Sequence, residues 1–583
     1  MATVTLHDAQ RERWLRFADP VAVINIGALG DVQAALAHIE RRVNDEGLWA
    51  AGFVSYDAAP AFDRALVSQR SAGIPLLWFG LFREPTEVDT PHASGPSPAA
   101  SLQWTPDIPR EAYDADVARI KTHIADGDTY QVNYTFRLRT HSVGDAWSWF
   151  CALVDAQPSA YAAFVDTGDH QVCSVSPELF FRLNGGALVC RPMKGTARRG
   201  RSVDDDVAQS AWLQGSEKNR AENVMIVDMI RNDIGRVADV GSVHATDLFR
   251  VERYPTVWQM TSTVSGHTDA SIADIMTALF PCASITGAPK ARTTQIIAAL
   301  EHAPRGLYTG AIGFIAPHRR AQFSVAIRTA VIDRHTSIAE YGVGGGVTWE
   351  SHVDAEYDEC LAKALVVTTP RHDFCLLETL RWSPSDGYTL LAAHLDRLLA
   401  SADFFGIALD ATAVHRVLDD TATAAAAYED ARFVRLLIDQ AGIARCESHP
   451  LLASATPVRL QLAPTPIDSH DTFVFHKTTR RQVYDDARAA CPGADDVILW
   501  NERGEVTETS IANVIIEIDG AWYTPPIACG LLAGTLRAEL LATGVIRERV
   551  ITVADLARAS RIDVINSVRG RRSAVYPLVG APS

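Results

Sequence analysis

Long apolar runs are absent from this chain. No stretch approaches the roughly 18 consecutive apolar residues that a membrane-spanning helix needs, and residues 1–14 are polar and charged, without the apolar core of a signal peptide. The sequence therefore predicts a protein of the cytoplasm that has no membrane partner.

Paired cysteine motifs and basic stripes are absent too. The nine cysteines are scattered, with no CxxC pair and no histidine at metal-finger spacing, and they predict reduced thiols. The formal net charge is −16, and no dense run of Lys and Arg offsets it. This balance argues against a nucleic-acid partner, because a phosphate backbone would be repelled.

The length indicates more than one domain. At roughly 150 residues per domain, 583 residues correspond to two to four domains. Near residues 368–373 a helical pattern gives way to the strand-like start FCLLETLRW, so we expect domains 1–370 and 371–583. Residues 462–471 (LAPTPIDSHD) predict a hinge between two smaller lobes of the second domain.

Hairpin signals decide the expected fold class. Strand-like and helix-like segments alternate in both halves, and Asp519-Gly520 supports the primed turn of a hairpin between residues 513–518 and 521–524. Residues 322–331 (QFSVAIRTAV) alternate as one strand. We therefore predict an α+β fold, with large mixed or antiparallel sheets in the first domain.

Two helix-like segments bring charged residues together. Residues 217–237 carry apolar side chains at helical spacing, so one face of that helix is expected to pack on the protein. In EYDECLAK, offsets of three and four residues stack Glu356, Glu359 and Lys363 on one side of a helix. Taken alone, such a cluster is more often a solvated, salt-bridged face than a metal site.

A set of ordered segments in the first half resembles the chorismate-utilising enzymes, strongly over residues 105–367 and weakly before them. The segments are GDTYQVNY (127–134), SPELF (176–180), RPMKGTARRG (191–200), AENVMIVDMIRND (221–233), TGAPKART (286–293), RGLYTGAIGF (305–314), IRT (327–329), GVGGGVTWES (342–351) and EYDECLAKA (356–364). So many matches in order make chance negligible.

This resemblance implies a site for chorismate and Mg²⁺. Glu222, Glu356 and Glu359 resemble the carboxylates of a Mg²⁺ site that holds the ring carboxylate of the substrate, which suits a hard ion with oxygen ligands. Glycine in such a site allows close approach of the backbone to the substrate. The residues that resemble substrate contacts are Gln131, Thr196, Tyr308, Arg328, Gly344, Gly345 and Lys363.

One position separates the members of this family by nucleophile. Anthranilate synthases resemble P-I-A-G-T where this chain reads P-M-K-G-T, and the lysine, Lys194, is typical of aminodeoxychorismate synthases. The resemblance implies that Lys194 adds at ring C2 as the C4 hydroxyl leaves, and that ammonia then adds at C4 and expels the lysine. Glu178 of SPELF resembles the general acid that protonates the departing hydroxyl, with a structural cap as its alternative role.

The group that adds at C4 is expected to be ammonia rather than water. The isochorismate and salicylate synthases, which use water, resemble this chain but have a lysine base at the position of Gln131. A glutamine cannot accept that proton. No cysteine lies in the setting of a glutaminase nucleophile, so we expect a separate glutamine amidotransferase subunit to supply the ammonia.

Two positions depart from the family pattern. Asn219 stands where a glutamate commonly precedes the metal glutamate by three residues, which puts the affinity for Mg²⁺ in question. Gln259 replaces a common histidine and bears on how the C4 hydroxyl is held. Neither change removes the argument from Lys194.

The second half resembles the fold type IV pyridoxal-phosphate (PLP) enzymes, which include amino-acid aminotransferases and aminodeoxychorismate lyase. This resemblance implies a two-lobed domain and a homodimer with cofactor sites near the interface. The matching segments are ETLR (378–381), HLDRLLASADFFG (394–406), FHKTTRRQVYD (475–485), LWNERGEVTETSIANVII (499–516), TPPIACGLLAGTLR (524–537) and NSVRG (566–570).

Five residues of this half resemble the contacts of the cofactor. Lys477 resembles the lysine that bonds to PLP, and Glu508 resembles the acid at its pyridine nitrogen. Thr535 begins a helix-like segment whose free N–H groups suit the phosphate. Arg397 and Ser567 resemble further phosphate contacts.

Together the two resemblances predict a bifunctional enzyme that makes 4-aminobenzoate, a folate precursor. The front half aminates chorismate to 4-amino-4-deoxychorismate, and the back half releases pyruvate from that product. One alternative is an anthranilate-type synthase fused to an amino-acid aminotransferase. Another is a non-catalytic scaffold that docks the glutaminase and senses chorismate or tryptophan, against which the presence of Lys194, Glu178, Lys477 and Glu508 argues.

Overall fold

The structure is a computed structural model that describes residues 2–92, 102–141, 144–368, 373–452 and 457–576. The chain divides into two compact units, Met1–Arg198 with Ser210–Arg371, and Arg199–Gln209 with His372–Ser583. The predicted boundary between residues 370 and 371 lies outside the described residues and stays a prediction. Within the described segments, none of the helices has both the length and the apolar character that a membrane crossing requires.

The first unit consists of two large antiparallel sheets and the helices that cover them. Its strands are β1 (Thr3–Asp8), β2 (Arg13–Phe17), β3 (Ala22–Ile26), β4 (Trp49–Val54), β5 (Leu77–Phe82), β6 (Thr86–Val88), β7 (Thr105–Pro106), β8 (Gln131–His141), β9 (Tyr161–Asp166), β10 (His170–Ser176), β11 (Leu179–Asn184), β12 (Ala187–Arg191), β13 (Met193–Arg198), β14 (His244–Arg253), β15 (Val257–His267), β16 (Gly287–Ala288), β17 (Ala311–Ala316), β18 (Arg320–Val325), β19 (Thr329–Asp333) and β20 (Ile338–Val347). Its helices are α1 (Val32–Glu46), α2 (Ala59–Phe62), α3 (Arg110–Ala125), α4 (Ala146–Ala156), α5 (Val203–Gly215), which begins in the segment that groups with the second unit, α6 (Glu217–Gly235), α7 (Ile272–Leu279), α8 (Lys290–Leu300) and α9 (Val353–Thr368).

The two sheets face each other across a shared apolar core. The first has the strand order β16-β8-β20-β19-β10-β9-β1-β2-β6, with β7 beside β8, and the second has the order β13-β15-β12-β11-β18-β17-β4-β5-β3, with β14 beside β15. Between them, the Phe17 ring of the first sheet lies 5.4 Å from Phe82 and 6.0 Å from Trp49 of the second, centroid to centroid. Helices α1, α6 and α7 cover the outer face of the second sheet, and α3, α4, α8 and α9 cover that of the first. Burial on both faces explains why β5 is apolar throughout.

The chain changes sheet at two neighbouring crossings. Residues 177–178 connect β10 of the first sheet to β11 of the second, and residues 326–328 connect β18 of the second sheet to β19 of the first. The Val325 N–H donates a hydrogen bond of 3.1 Å to the Glu178 carbonyl, so the two crossings lie side by side.

The prediction of one continuous strand over residues 322–331 is wrong. Strand β18 ends at Val325 and β19 begins at Thr329, in the other sheet. Between them Arg328 has a φ of 48°, in the left-handed region that side chains other than glycine seldom adopt. The apolar alternation continues through the crossing because residues on both sides of it face a buried layer.

The second unit contains two smaller sheets. Its strands are β21 (Leu376–Ser383), β22 (Gly387–Tyr388), β23 (Arg432–Ile438), β24 (Ala444–Pro450), β25 (Val458–Leu462), β26 (Asp496–Trp500), β27 (Val506–Thr509), β28 (Asn513–Ile518), β29 (Ala521–Thr524), β30 (Arg547–Glu548), β31 (Arg561–Asn566) and β32 (Gly570–Val575), and its helices are α10 (Leu391–Phe405), α11 (Ala411–Ala425), α12 (Gln482–Ala489) and α13 (Thr535–Ala542).

The third sheet, β22-β21-β23-β24, is antiparallel and packs on α10 and α11. The fourth, β27-β26-β25-β32-β31-β28-β29-β30, is mixed, because β25 runs parallel to β26 and β32, and β29 parallel to β30. The hinge predicted at residues 462–471 is wrong, since that segment follows β25, which already belongs to the fourth sheet. The predicted hairpin is confirmed, with Asp519 and Gly520 at φ 52° and 76°.

Candidate active sites

A cavity of about 510 Å³ in the first unit brings most of the predicted chorismate residues together. It lies where β13, β20 and the two crossings meet helices α6 and α9. The predicted residues that line it are Glu178, Lys194, Thr196, Glu222, Tyr308, Arg328, Gly344, Glu356, Glu359 and Lys363. Of the other two predicted residues, Gln131 is fully buried and Gly345 lies on β20 between two glycines of the wall.

Lys194 lies in an irregularity of β13. The register of β13 against β15 shifts between Met193 and Thr196, and Gly195 inside this bulge has a φ of 101°. Such bulges re-aim a side chain, and the positive φ explains the glycine. The Asn223 side-chain amide donates to the Lys194 carbonyl over 3.1 Å, which fixes the backbone of the lysine from helix α6. The Lys194 Nζ atom is 3.7 Å from Glu222 Oε2.

Glu178 is carried into the cavity by the first crossing. Its side chain is buried, and the Ser284 hydroxyl donates to Glu178 Oε1 over 2.6 Å. Burial raises the pKa of Glu178 to about 7, although the Ser284 hydrogen bond and the Lys194 charge oppose the shift. A carboxyl with this pKa is well placed to exchange a proton near neutral pH.

Gln131 has a buried side-chain amide that no described residue pairs with. It is 0% exposed, and neither its Oε1 nor its Nε2 has a hydrogen-bond partner among the described residues. A Cβ atom built on Gly346 would lie 2.8 Å from Gln131 Nε2 and 2.4 Å from Lys194 Nζ. The amide and the lysine amine therefore meet above Gly346, and a buried amide without partners is unusual in a protein unless a ligand completes it.

Helix α9 contributes two carboxylates and a lysine to the wall of the cavity. Glu356 accepts a hydrogen bond of 2.6 Å from the Ser351 hydroxyl, and Glu359 forms an ion pair of 2.9 Å with Lys363. The Lys363 ammonium lowers the pKa of Glu359. Lys363 Nζ also donates to the Gly344 carbonyl over 2.8 Å, so it ties α9 to the glycine-rich part of β20.

Tyr308, which is buried, and Arg328, which is half-buried, form the floor of the cavity. The left-handed backbone at Arg328 turns its side chain inward, where Nη1 donates to Gln157 Oε1 over 2.9 Å. Gly342 lies against the Tyr308 ring, because a Cβ built on that glycine would be 2.3 Å from Tyr308 Cγ. Burial raises the pKa of Tyr308, which therefore remains a phenol and a hydrogen-bond donor.

The two departures from the family pattern both lie in this wall. Gln259 accepts from the Thr196 hydroxyl over 3.1 Å and donates to the Gly195 carbonyl over 2.9 Å, so it supports the bulge that carries Lys194. Asn219 donates to Ser216 Oγ over 2.9 Å at the start of α6. Sequence reasoning missed Trp212 and Lys218, which also line the cavity. Lys218 belongs to the helix-like segment 217–237, and Trp212 lies five residues before that segment.

A second cavity of about 510 Å³ lies within the second unit. All five predicted cofactor residues line it: Arg397, Lys477, Glu508, Thr535 and Ser567. Lys477 is half-buried, and desolvation together with the Arg397 charge lowers its pKa to about 8. A larger fraction of this amine is therefore unprotonated near neutral pH than for an exposed lysine.

Glu508 is the buried acid of this cavity. It lies on β27 and accepts hydrogen bonds from the Tyr484 hydroxyl over 2.9 Å and from the Leu532 N–H over 3.2 Å. Burial raises the pKa of Glu508 to about 7, while these donors and Lys477 oppose the shift.

Helix α13 begins at Thr535 beside the cavity, with Gly534 as its N-cap. A Cβ at Gly534 would lie 1.9 Å from Asn513 Oδ1, so a side chain there would be forced into the wall. The glycine keeps the first N–H groups of the helix open toward the cavity. Such groups, together with the helix dipole, favour a phosphate.

Arg397 makes hydrogen bonds within the protein that the sequence did not suggest. It donates to both carboxylate oxygens of Glu378, over 2.8 and 2.6 Å, and to the Ala533 carbonyl over 2.9 Å. His394 lies between Glu378 and Ser567. Sequence reasoning missed Glu378 and His394, although they are the first residues of the quoted motifs ETLR and HLDRLL.

Comparison with known proteins supports both halves. Residues 2–369 match the family model of chorismate binding enzymes, and residues 375–575 match that of class IV aminotransferases. The predicted succession of these two kinds of domain, and the α+β fold with antiparallel sheets in the first, are confirmed.

Single relatives match parts of the chain. An aminodeoxychorismate synthase from Streptomyces pristinaespiralis is 43% identical over 270 residues, which are 46% of this chain and 37% of that protein. Anthranilate synthase component 1 1 from Haloarcula marismortui is 39% identical over 259 residues, 44% of this chain and 53% of that protein. The chain thus spans less than two thirds of these curated relatives, and identity alone does not choose between the two kinds of aminase.

A solved structure shares the fold of the first unit. The crystal structure of anthranilate synthase component I from Streptococcus pneumoniae has a TM-score of 0.53 and 24% identity, and the match covers 63% of this chain and 92% of that chain.

Proposed function

We propose, from the premise that this chain belongs to the family of chorismate binding enzymes, that it converts chorismate to 4-aminobenzoate in two steps. The first unit replaces the C4 hydroxyl of chorismate with an amino group, and the second eliminates pyruvate from the resulting 4-amino-4-deoxychorismate. The observation that carries the proposal is that the Lys194 amine and the Glu178 carboxyl line one cavity. Of the two residues, Lys194 is the one that separates the proposed aminase from an anthranilate-type enzyme.

Lys194 is bonded covalently to the ring of the substrate after the first substitution and is released in the second. Its unprotonated amine forms a bond to C2 while the ring double bond shifts and the C4–O bond breaks. Ammonia then forms a bond to C4, the double bond shifts back, and the C2–N bond to Lys194 breaks. Dividing one substitution into two in this way is the usual gain of covalent catalysis.

Glu178 supplies the proton that lets the C4 hydroxyl leave as water. With a pKa raised to about 7, a substantial fraction of this carboxyl is protonated near neutral pH. The Ser284 hydroxyl holds Oε1, which leaves Oε2 to face the substrate. The same oxygen can take a proton from the incoming ammonia in the second substitution.

Glu222, Glu356 and Glu359 would hold Mg²⁺ together with a carboxylate of the substrate. Three carboxylates lining one cavity are the donor set that a hard cation takes, so the residues fit the ion. Among the described residues, no three His, Cys, Asp or Glu side chains form a ready-made metal cluster. We therefore expect Mg²⁺ to bind tightly only when chorismate adds its own oxygens.

Ammonia is the proposed nucleophile at C4. The Gln131 amide and the Lys194 amine both lie next to Gly346, and the amide cannot deprotonate a water molecule. We propose that a separate glutamine amidotransferase subunit delivers the ammonia.

The second cavity fits PLP. It offers a half-buried lysine of lowered pKa, a buried acid and a helix N-terminus, which match the aldehyde, the pyridine nitrogen and the phosphate of that cofactor. When bound, PLP supplies an electron sink for the carbon that carries the amino group. Lys477 removes the proton from this carbon, C4 of the ring. The ionised fraction of Glu508 would pair with the pyridine nitrogen, and loss of pyruvate from C3 leaves an aromatic ring.

We further propose a homodimer in the cytoplasm. The class IV aminotransferase match supports the dimer, as the resemblance implies cofactor sites near an interface. All nine cysteines are free thiols, in keeping with a reducing compartment.

Product analysis of three lysine variants tests the proposal. The purified protein is incubated with chorismate, Mg²⁺, PLP and an ammonium salt, and the products are identified by mass. We expect 4-aminobenzoate from the wild type, little product from Lys194→Ala, and accumulation of 4-amino-4-deoxychorismate with Lys477→Ala. Lys121→Ala is the matched control, because Lys121 lies on α3 and lines neither cavity.

Two outcomes would contradict the proposal. Anthranilate as the product of the wild type would show that the first unit aminates another carbon. Release of 4-aminobenzoate by Lys477→Ala at the wild-type rate would show that the second unit is not the lyase.

A further inference from the structure

A buried chain of hydrogen bonds runs beside the phosphate end of the second cavity. Glu378 on β21 and His394 on α10 are each 1% exposed, and His394 Nδ1 is 2.7 Å from Glu378 Oε2. On its other side, His394 Nε2 is 2.9 Å from Ser567 Oγ and 3.3 Å from Thr535 Oγ1. Both hydroxyl residues line the cavity.

The charge of Glu378 decides whether the Nδ1 atom of His394 carries a proton. Burial opposes its ionisation, but Arg397, which donates to both carboxylate oxygens, holds the pKa of Glu378 at about 2. An ionised carboxylate only accepts hydrogen bonds. His394 Nδ1 must therefore carry a proton, which it donates to Glu378.

The direction of the remaining hydrogen bonds depends on Nε2. A bare Nε2 accepts the hydroxyl proton of Ser567, and that hydroxyl then has no hydrogen left to offer the cavity. A protonated Nε2 instead donates to Ser567 Oγ, and the hydroxyl hydrogen is free to point at a ligand. A phosphate has only acceptor oxygens at its dianionic end, so it requires the second arrangement.

We propose that His394 is a positioning residue that takes up a second ring proton when the phosphate of the cofactor binds, which turns the Ser567 hydroxyl into a donor to that phosphate. The inference rests on the proposed assignment of PLP to this cavity. The charged groups that face His394 are Glu378 from β21 and Arg397 from its own helix, the latter 3.4 Å from Nδ1. Because the opposite charges of Glu378 and Arg397 cancel, the positive charge of the added proton is left to balance negative charge on the phosphate. The residues that face it from the other side, Ser567 and Thr535, are neutral.

Binding of pyridoxamine 5′-phosphate at several pH values tests the inference. This probe has no aldehyde and so forms no bond to Lys477, and above about pH 7 its phosphate is already dianionic. For the wild type, we expect the dissociation constant to rise with pH, by up to about tenfold per pH unit, because binding consumes a proton. His394→Gln keeps amide donors that do not titrate, so its dissociation constant should rise less steeply with pH than that of the wild type. Lys477 and Glu508 line the same cavity in both proteins, so their own titration cancels in this comparison.

Calorimetry in two buffers of different ionisation enthalpy gives a second readout. We expect the wild type to take up close to one proton more on binding than His394→Gln and Ser567→Ala do. Ser567→Ala keeps the buried pair intact, and it decides the question if His394→Gln fails to fold. His415→Gln is the matched control, since His415 is exposed on α11.

The outcomes separate this inference from the function on which it rests. Wild-type binding with no more proton uptake than the variants show, or an unchanged pH dependence in both variants, overturns the role of His394 and leaves the PLP assignment standing. Failure of the wild type to bind the probe at any pH overturns the assignment, and the inference with it.

Discussion

One methyl group added at Gly346 should displace the proposed nucleophile of the first unit without unfolding it. The Cβ atom of Gly346→Ala would lie 2.4 Å from Lys194 Nζ and 2.8 Å from Gln131 Nε2, whereas ordinary contact begins at 3.4 Å. The amine must therefore move by about 1 Å and the Gln131 amide by less, which both can do because they are the far ends of flexible side chains. A misplacement of this size at a reacting atom costs about 100-fold in rate.

The measurement is kcat for formation of 4-amino-4-deoxychorismate, with two internal references. The thermal midpoint and the elimination of pyruvate from supplied 4-amino-4-deoxychorismate should both stay at their wild-type values. Gly235→Ala is the matched control, because a Cβ on this exposed last residue of α6 would meet no atom of the described residues within 4 Å. A wild-type amination rate in Gly346→Ala, or an equal loss in Gly235→Ala, would refute the placement of the lysine.

Further predictions concern protons and backbone support. The amination rate should fall as pH rises through about 7, because the proton on Glu178 is then lost; Glu178→Gln should remove this limb from the pH profile of kcat. Asn223→Ala deletes the hydrogen bond to the Lys194 carbonyl and should raise the barrier to amination by about 1 kcal/mol at unchanged product identity. Incorporation of PLP into apoprotein, followed by absorbance, should accelerate with pH and level off above about 8, where Lys477 has lost its proton; a rate independent of pH would contradict its lowered pKa.

The order of the sequence motifs predicted which residues line each cavity, but it did not predict how the structure holds those residues in place. Lys194, Glu178 and the three glutamates line one cavity, and the five cofactor residues line the other. Their individual roles stay predictions. Residue types at fixed order carry this information, because each chemistry needs a particular functional group at a particular place.

The sequence could not reveal the change of sheet at residues 326–328. Apolar alternation reports that a strand has a buried face, and both sheets of the first unit bury their facing sides. One strand in one sheet and two short strands in two sheets therefore have the same pattern. The backbone of Arg328, which makes the crossing, has no signal of its own because arginine is not a turn residue.

The sequence also could not reveal which groups the side chains of the second cavity form hydrogen bonds with. Arg397 was predicted to contact phosphate, and in the structure most of its donors serve Glu378 and Ala533. The pairing of Glu378 with Arg397 and His394 joins a strand to a helix that begins after it, and no periodic rule relates their positions. Such a network is visible only once the elements are packed.

The two neighbouring crossings connect residues of the first cavity to the apolar core between the two sheets. Glu178 and Arg328 lie on neighbouring, hydrogen-bonded segments, so a small slide of one sheet over the other would carry them together. Lys194 lies in the bulge of β13 at one edge of the second sheet, and its distance to that pair would change. Substitutions at the aromatic contacts between the sheets, such as that of Phe17 with Phe82, would then act as remote regulators of turnover although they touch no substrate. Variation in catalytic rate among relatives of this chain is therefore expected to track the packing of this interior as well as the residues of the cavity.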